Sequence, residues 1–295
     1  MGFLTQYPRV GFHCGRLWRP FLFCLAFALT ACAIPGPQQR VEAAKRLVLG
    51  RGWQSEMVAA GRFNLQAFFP PPEPSEKVVI YLEGDGLAWL DASTPSPDPT
   101  PVNPLGLHMA MQHPAANVAY LGRPCQYDPE SRVRQCGRRD WTDARFSAEI
   151  VIALSSVIDQ IKAKFSARQI ILVGYSGGGT LAALIAARRS DVVQLVTVAA
   201  VLDHRAWTEY LGVTPLSGSL NPVDDWERLR SIPQTHLFGA EDKTTGRIAI
   251  QPYADRARSG DPIEMRRLEG FDHACCWVKA WPGLWRDLSV KALPR

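Results

Sequence analysis

Residues 169–187 read QIILVGYSGGGTLAALIAA, and the order of residue types within them decides the fold. Residues 169–173 are a short, continuous run of β-branched and aliphatic side chains, the composition of a strand buried on both faces. Residues 180–189 are rich in Ala and Leu, both strong helix formers. Between the two lies Gly174-Tyr175-Ser176-Gly177-Gly178, a G-x-S-x-G pattern. A chain that leaves a strand and enters a helix within so few residues turns sharply. The residues two before and two after the serine must then be small, because the two elements would otherwise collide. The turn lifts the Ser176 hydroxyl into the open at the C-terminal edge of the sheet. The backbone N–H of Gly177 faces the same space, at a helix N-terminus whose dipole favours negative charge. No lysine follows, as it would in a phosphate-binding P-loop.

Working outward, further apolar runs read as strands. Residues 62–69 (RFNLQAFF) alternate polar and apolar, as an edge strand does. Residues 77–82 (KVVIYL), 117–121 (NVAYL), 193–199 (VQLVTVA) and 235–238 (THLF) read as buried strands. Residues 263–268 (IEMRRL) are more polar and belong nearer an edge. Phe146, Ile150, Leu154, Val157, Ile158 and Ile161 form a 3.6-residue stripe within residues 143–165, a helix that Thr142 or Asp143 can cap. Residues 274–288 close the chain as another helix. Strands alternating with helices predict an α/β domain, a mostly parallel central sheet covered by helices on both faces. The five prolines of residues 93–104 (STPSPDPTPVNP) exclude regular structure and predict a stiff loop over one end of the sheet.

Here the chain resembles the α/β-hydrolase family, over roughly residues 62–295. In that family an acid follows the nucleophile after a later strand, and a histidine follows near the end of the chain. After THLF comes Gly239-Ala240-Glu241-Asp242, and after IEMRRLEG comes Phe271-Asp272-His273. The resemblance implies a triad of Ser176, Asp242 and His273, with Asp203, at the end of the preceding strand, as the alternative acid. Asp272 adjoins His273 in sequence, which points the two side chains apart. Glu83-Gly84-Asp85-Gly86 resembles the family's H-G-x-G segment, with Glu83 in the histidine's place. The resemblance therefore implies an oxyanion hole made of the Gly177 N–H and a second N–H from Asp85 or Gly86. A carboxylate at position 83 fits only if it is turned away and hydrogen-bonded. The expected activity is that of a serine hydrolase acting on small-molecule or lipid carboxylic esters. Peptidase, thioesterase and acyltransferase chemistry use the same triad, and a non-catalytic binding lipoprotein on this scaffold is the other alternative. No metal and no organic cofactor is implied.

Other candidates carry less. Arg123, Arg132, Arg134, Arg138 and Arg139 surround the segment between Cys125 and Cys136; they either receive an acidic group or form a solvated face. His108 and His113 have no partners at metal-ligand spacing. Trp207, Tyr210, Trp226 and Trp277 either line an apolar pocket or pack a core.

The composition, 46% hydrophobic and 21% charged, is that of a globular chain of 295 residues. The formal charge of +5 owes three units to Arg9, Arg16 and Arg19. Residues 32–295 are thus nearly neutral, which argues against nucleic-acid binding. Those arginines precede an uncharged apolar run, residues 21–31 (FLFCLAFALTA), too short for a bilayer span of about 20 residues but suited to a signal peptide. The run ends Leu29-Thr30-Ala31-Cys32, which resembles a bacterial lipoprotein signal. That resemblance implies cleavage after residue 31, lipid on Cys32, and anchoring in the cell envelope, with Ala33 favouring the outer membrane facing the periplasm. Residues 32–61 are then expected to be a tether and an irregular or partly helical lead-in, and residues 62–295 the domain. Of the remaining cysteines, Cys125 and Cys136 would close a short loop as a disulfide, contributing roughly 3 kcal/mol. Adjacent Cys275 and Cys276 make a less comfortable pair, and pairing between the two segments stays open. The oligomeric state is left open by the sequence.

Overall fold

A computed structural model describes residues 34–129 and 135–291. The expected signal segment, Cys32, Arg132 and Arg134 lie outside the described residues. Eight strands form one sheet: β1 (Gln54–Ala60), β2 (Phe63–Phe69), β3 (Lys77–Leu82), β4 (Val118–Leu121), β5 (Gln169–Tyr175), β6 (Val192–Val198), β7 (Gln234–Gly239) and β8 (Ile263–Leu268). Their order across the sheet is β1-β2-β4-β3-β5-β6-β7-β8. β2 runs antiparallel to both its neighbours and every other pairing is parallel. Eight α-helices accompany the sheet among the described residues: α1 (Pro37–Leu49), α2 (Leu105–Met111), α3 (Ala148–Lys164), α4 (Gly177–Ala186), α5 (His204–Leu211), α6 (Trp226–Leu229), α7 (Gln251–Ala254) and α8 (Trp277–Lys291).

The alternation of side chains along a strand splits the core in two. Val78, Ile80 and Leu82 of β3 face a cluster that holds Ile150, Leu154 and Ile158 of α3 and Leu181 and Leu184 of α4. Val79 and Tyr81 face the other cluster, with Val41 and Val48 of α1, Leu107 and Met109 of α2, and Trp277, Trp281 and Trp285 of α8. Both faces are dry, which is why β3 and β5 read as unbroken apolar runs. Polar groups in the second cluster are paired: Trp281 Nε1 donates to the Tyr81 hydroxyl at 2.7 Å, and the Tyr120 and Tyr127 hydroxyls bond each other at 2.8 Å.

Three expectations change. Residues 35–61 are not a tether: α1 packs on the sheet and β1 forms its edge, joined to β2 by a tight turn in which Gly61 has φ +61°. β2 is consequently interior. Its polar Gln66 is buried, with its side-chain amide donating to Ser55 Oγ and to the carbonyls of Glu56 and Ala67. The long helix starts at Ala148, not 143, because Ser147 is the residue whose side chain accepts the Ile150 N–H. Residues 142–146 are thereby released from the helix, and Arg145 and Phe146 among them line the cavity of the site. The proline-rich loop is irregular, as expected. Its fully buried Thr100 accepts the Tyr127 N–H, and the Arg40 guanidinium of α1 donates to the Thr100 carbonyl.

Candidate active site

Ser176 sits between the end of β5 and the first turn of α4, with φ +50° and ψ −124°. A non-glycine residue reaches positive φ only at a cost of about 1–3 kcal/mol, so the surrounding structure must hold it there. Two backbone bonds do so: the Ser176 N–H donates to Val198 O at 2.8 Å, and Ser176 O accepts the Gly179 N–H at 2.9 Å. The flanking glycines are required sterically. A Cβ at Gly174 would collide with the backbone of Gly178 and Gly179, and one at Gly178 with the carbonyls of Leu82 and Glu83.

His273 arrives from the loop after β8. Its Nε2 lies 3.1 Å from Ser176 Oγ and its Nδ1 lies 2.9 Å from Asp242 Oδ2. The loop is held in place from several sides. Tyr175 OH donates to His273 O at 2.9 Å, and Trp277 Nε1 donates to the carbonyls of Asp272 and His273. Asp272 points away, its Oδ1 accepting the N–H groups of Ala274 and Cys275.

Asp242 follows β7, and its side chain is fully buried. Oδ1 accepts the N–H groups of Thr244 and Thr245, and Oδ2 accepts the Thr245 hydroxyl at 2.7 Å. Burial alone would raise its pKa, but His273 and the Thr245 donors outweigh burial and hold the carboxyl below its ordinary range. Asp203, the alternative acid, is occupied elsewhere. It caps α5, accepting the N–H of Arg205 and Ala206, and also accepts from Asn221 Nδ2 at 2.8 Å. Glu241 is exposed.

The loop after β3 completes the site. Glu83, 2% exposed, is turned away from Ser176. Its Oε1 accepts the N–H of Gly84 and Gly106, and its Oε2 accepts the N–H of Leu107 and the Tyr120 hydroxyl. Desolvation raises its pKa, and those four donors oppose the rise. Asp85 is tied by Arg123 Nη1 and lies 3.3 Å from Arg145 Nε. Burial would raise the Asp85 pKa, but the two guanidiniums bring it below its usual value. The Asp85 carboxylate presses against Gly177, where a Cβ would collide with it. Gly177 is the first residue of α4, so its N–H has no acceptor within the helix. Ser176, Gly177, Asp85, Gly86 and His273 all line one cavity of about 760 Å³ at the C-terminal ends of β3, β5, β7 and β8. Open α/β sheets bind their ligands at this edge.

The remaining sequence candidates separate. Arg123 is buried against Asp85, whereas Arg139 is an exposed partner of Asp143. Trp207 lines the cavity; Trp226 and Trp277 are core residues, and Tyr210 is 70% exposed. His113 is packed on Trp285 and bonded to Tyr81 OH, and burial depresses its pKa to about 4. Cys125 and Cys136 form a disulfide with Cα atoms 5.9 Å apart, and Cys275 and Cys276 are paired with each other. Among the described residues, the grouping with metal-ligand spacing is Cys125, Cys136 and Asp140, whose two sulfurs are already bonded to each other. Arg145 and Thr245 are site residues that the sequence did not signal: Thr245 bonds the Asp242 carboxylate, and Arg145 stands in a loop with no motif and meets Asp85 only through space.

Three solved structures share this arrangement of strands and helices. The Pyrococcus furiosus esterase Pf2001 aligns with a TM-score of 0.55 at 11% identity, over 82% of this chain and 89% of its own. Est1E from Butyrivibrio proteoclasticus aligns with a TM-score of 0.54 at 14% identity, over 82% of this chain and 98% of its own. An alpha-beta serine hydrolase homologue from Coxiella burnetii aligns with a TM-score of 0.51 at 17% identity, over 82% of this chain and 97% of its own. The chain has the α/β-hydrolase fold. No protein-family model and no curated protein matches the sequence. An α/β-hydrolase fold hosts many reactions, so the chemistry rests on the site itself.

Proposed function

We propose that this chain is a serine hydrolase that cleaves carboxylic esters through an acyl-enzyme on Ser176. The observation that carries the reading is the unbroken relay from Ser176 Oγ to His273 Nε2 at 3.1 Å and from His273 Nδ1 to Asp242 Oδ2 at 2.9 Å. In the first step Ser176 Oγ bonds to the ester carbonyl carbon and its proton passes to His273 Nε2. Asp242 keeps the Nδ1 proton in place, so that Nε2 is the basic nitrogen, and stabilises the imidazolium. The carbonyl oxygen becomes an oxyanion facing the Gly177 N–H and that of Asp85 or Gly86. Collapse breaks the ester C–O bond, and the His273 proton leaves with the alcohol. Water then repeats the sequence on the acyl-enzyme and releases the acid. Glu83, turned away and four times bonded, does not oppose the oxyanion. The strained Ser176 backbone speaks for catalysis over pure binding, since a binding scaffold gains nothing from it.

The test is a turnover panel of p-nitrophenyl esters, aminoacyl amides and thioesters of matched acyl length. Esters are expected to turn over fastest, with a loss of at least about 10³-fold in Ser176→Ala. Preferential amide or thioester turnover would move the reading to a peptidase or thioesterase, and transfer to an added alcohol at the expense of water would indicate an acyltransferase. No turnover of any of them by a folded sample refutes the enzyme.

We further read residues 1–31 as a lipoprotein signal and Cys32 as the lipid-bearing residue, which would hold the enzyme in a bacterial cell envelope. The support is the arginine-then-apolar pattern ending at Ala31-Cys32. Radiolabelled palmitate should enter the full-length chain in bacterial cells and not Cys32→Ala; equal labelling of both contradicts this reading.

A further inference from the structure

Arg145 lines the cavity beside Ser176, and no step of the proposed reaction uses it. Its side chain is only 6% exposed. Its Nε is buried and donates no hydrogen bond, although it lies 3.3 Å from Asp85 Oδ2. Among the described residues, no carbonyl or side chain accepts from its two terminal nitrogens. The guanidinium instead lies over the rings of Phe146 and Trp207, with its carbon 5.4 and 5.8 Å from their centres.

Two guanidiniums share one carboxylate here. Arg123 is buried; its Nη1 donates to Asp85 Oδ1 and its Nη2 to the Arg145 carbonyl at 2.8 Å. Asp85 is therefore held by both arginines, by Arg145 through Nε. Asp242 is engaged with His273 and Thr245, and the Glu83 carboxylate is enclosed by its four donors. The terminal nitrogens of Arg145 are left without an acceptor among the described residues, a planar fork of donors in the wall of the cavity. Such a fork is satisfied best by a carboxylate or phosphate. Leu87, Trp89, Leu105, Val201, Trp207 and Leu216 give the wall a broad apolar part, beside the polar Asp91, Asn103, Thr214 and Thr244.

We propose that this site takes acidic esters: an apolar body carrying one anionic group, carboxylate or phosphate, that pairs with Arg145 while the ester carbonyl lies at Ser176. The inference rests on the ester-hydrolase reading and names its substrate class. Arg145 is then the residue that sets specificity. The two aromatic rings pack against its guanidinium, and Asp85, shared with Arg123, engages it only through Nε.

The test compares p-nitrophenyl hemiglutarate with neutral p-nitrophenyl hexanoate, and adds an ester ending in phosphonate to tell the two anions apart. The ratio of kcat/KM, acidic over neutral, is expected to be at least about tenfold in the wild type and to drop by at least about tenfold in Arg145→Gln, the effect of one charge-assisted hydrogen bond. Using a ratio cancels any general loss of folded enzyme. Arg145→Lys, which keeps the charge but not the fork, should retain part of the preference. Should the glutamine variant not fold, the wild-type ratio must itself fall between about 0.02 and 0.5 M salt, because screening weakens the pairing. Binding of hemiglutarate over hexanoate to Ser176→Ala reads the same preference without turnover, so a silent triad and a wrong substrate class remain distinguishable. A wild-type ratio near one, or a ratio unchanged in Arg145→Gln, overturns the inference.

Discussion

Replacing Asp242 by Asn keeps the shape of the triad and reverses one proton. The buried carboxylate offers one oxygen to the N–H groups of Thr244 and Thr245 and the other to His273 Nδ1 and the Thr245 hydroxyl. An asparagine must place its carbonyl where the two backbone N–H groups point. Its NH₂ then faces His273 Nδ1 and donates to it. The imidazole proton is forced onto Nε2, which now donates to Ser176 Oγ and can no longer take its proton. The expected loss in kcat is about 10⁴-fold, equivalent to about 5.4 kcal/mol of barrier. KM should change much less, because the carboxylate touches no substrate. Stopped-flow release of p-nitrophenol from a saturating ester measures the acylation step directly, and a melting curve checks that the variant is folded. A loss under tenfold in a folded variant, with a severe loss in Asp203→Asn, would refute the assignment of the acid and move it to the residue that caps α5.

Other perturbations test the scaffold. Gly178→Ala places a methyl against the carbonyls of Leu82 and Glu83; it should cost about 1–3 kcal/mol in a urea melt and lower kcat by at least about 100-fold as Ser176 is displaced, and a variant with wild-type stability and rate contradicts the close approach. Glu83→Ala strips the acceptor from the Gly84, Gly106 and Leu107 N–H groups and from Tyr120 OH. The expected cost is at least about 3 kcal/mol, with kcat reduced more than KM is raised, and Glu83→Gln should recover part of both. His113, depressed to about 4 by burial, binds no proton in the folded chain between about pH 6.5 and 4, whereas the unfolded chain does. Stability should therefore fall with acidification through that window, and His113→Leu should flatten the slope of urea stability against pH by about 1.4 kcal/mol per unit; an unchanged slope contradicts the burial.

The parts of this molecule that were legible from its sequence are those whose signal is local. β3 and β8 have the expected bounds, because a strand dry on both faces must be apolar throughout and an edge strand need not be. The turn at Ser176 was legible because its sterics demand glycine at fixed offsets, and the approach of Asp242 and His273 to it because both lie in loops that follow clear strands. β1 escaped because its residues are mostly exposed and its pairing with β2 runs across a turn that depends on Gly61. The start of α3 differs because Thr142, Asp143 and Ser147 are all capable caps by type, and it is the Ser147 hydroxyl that accepts the Ile150 N–H. Glu83 could be read only as a departure from a pattern: its four donors come from three separate segments. Arg145 carried no signal, since its meaning lies in a charge balance with Asp85 and Arg123 that no spacing records.

The central claim is that one hydroxyl, activated by His273, is the group that attacks. A fluorophosphonate probe forms a stable bond with such a serine and with little else. Peptide mass spectrometry of the labelled protein should place the adduct on Ser176, and labelling should drop by at least about 10³-fold in His273→Ala at equal fold. An adduct on another residue, or equal labelling without His273, would contradict the account.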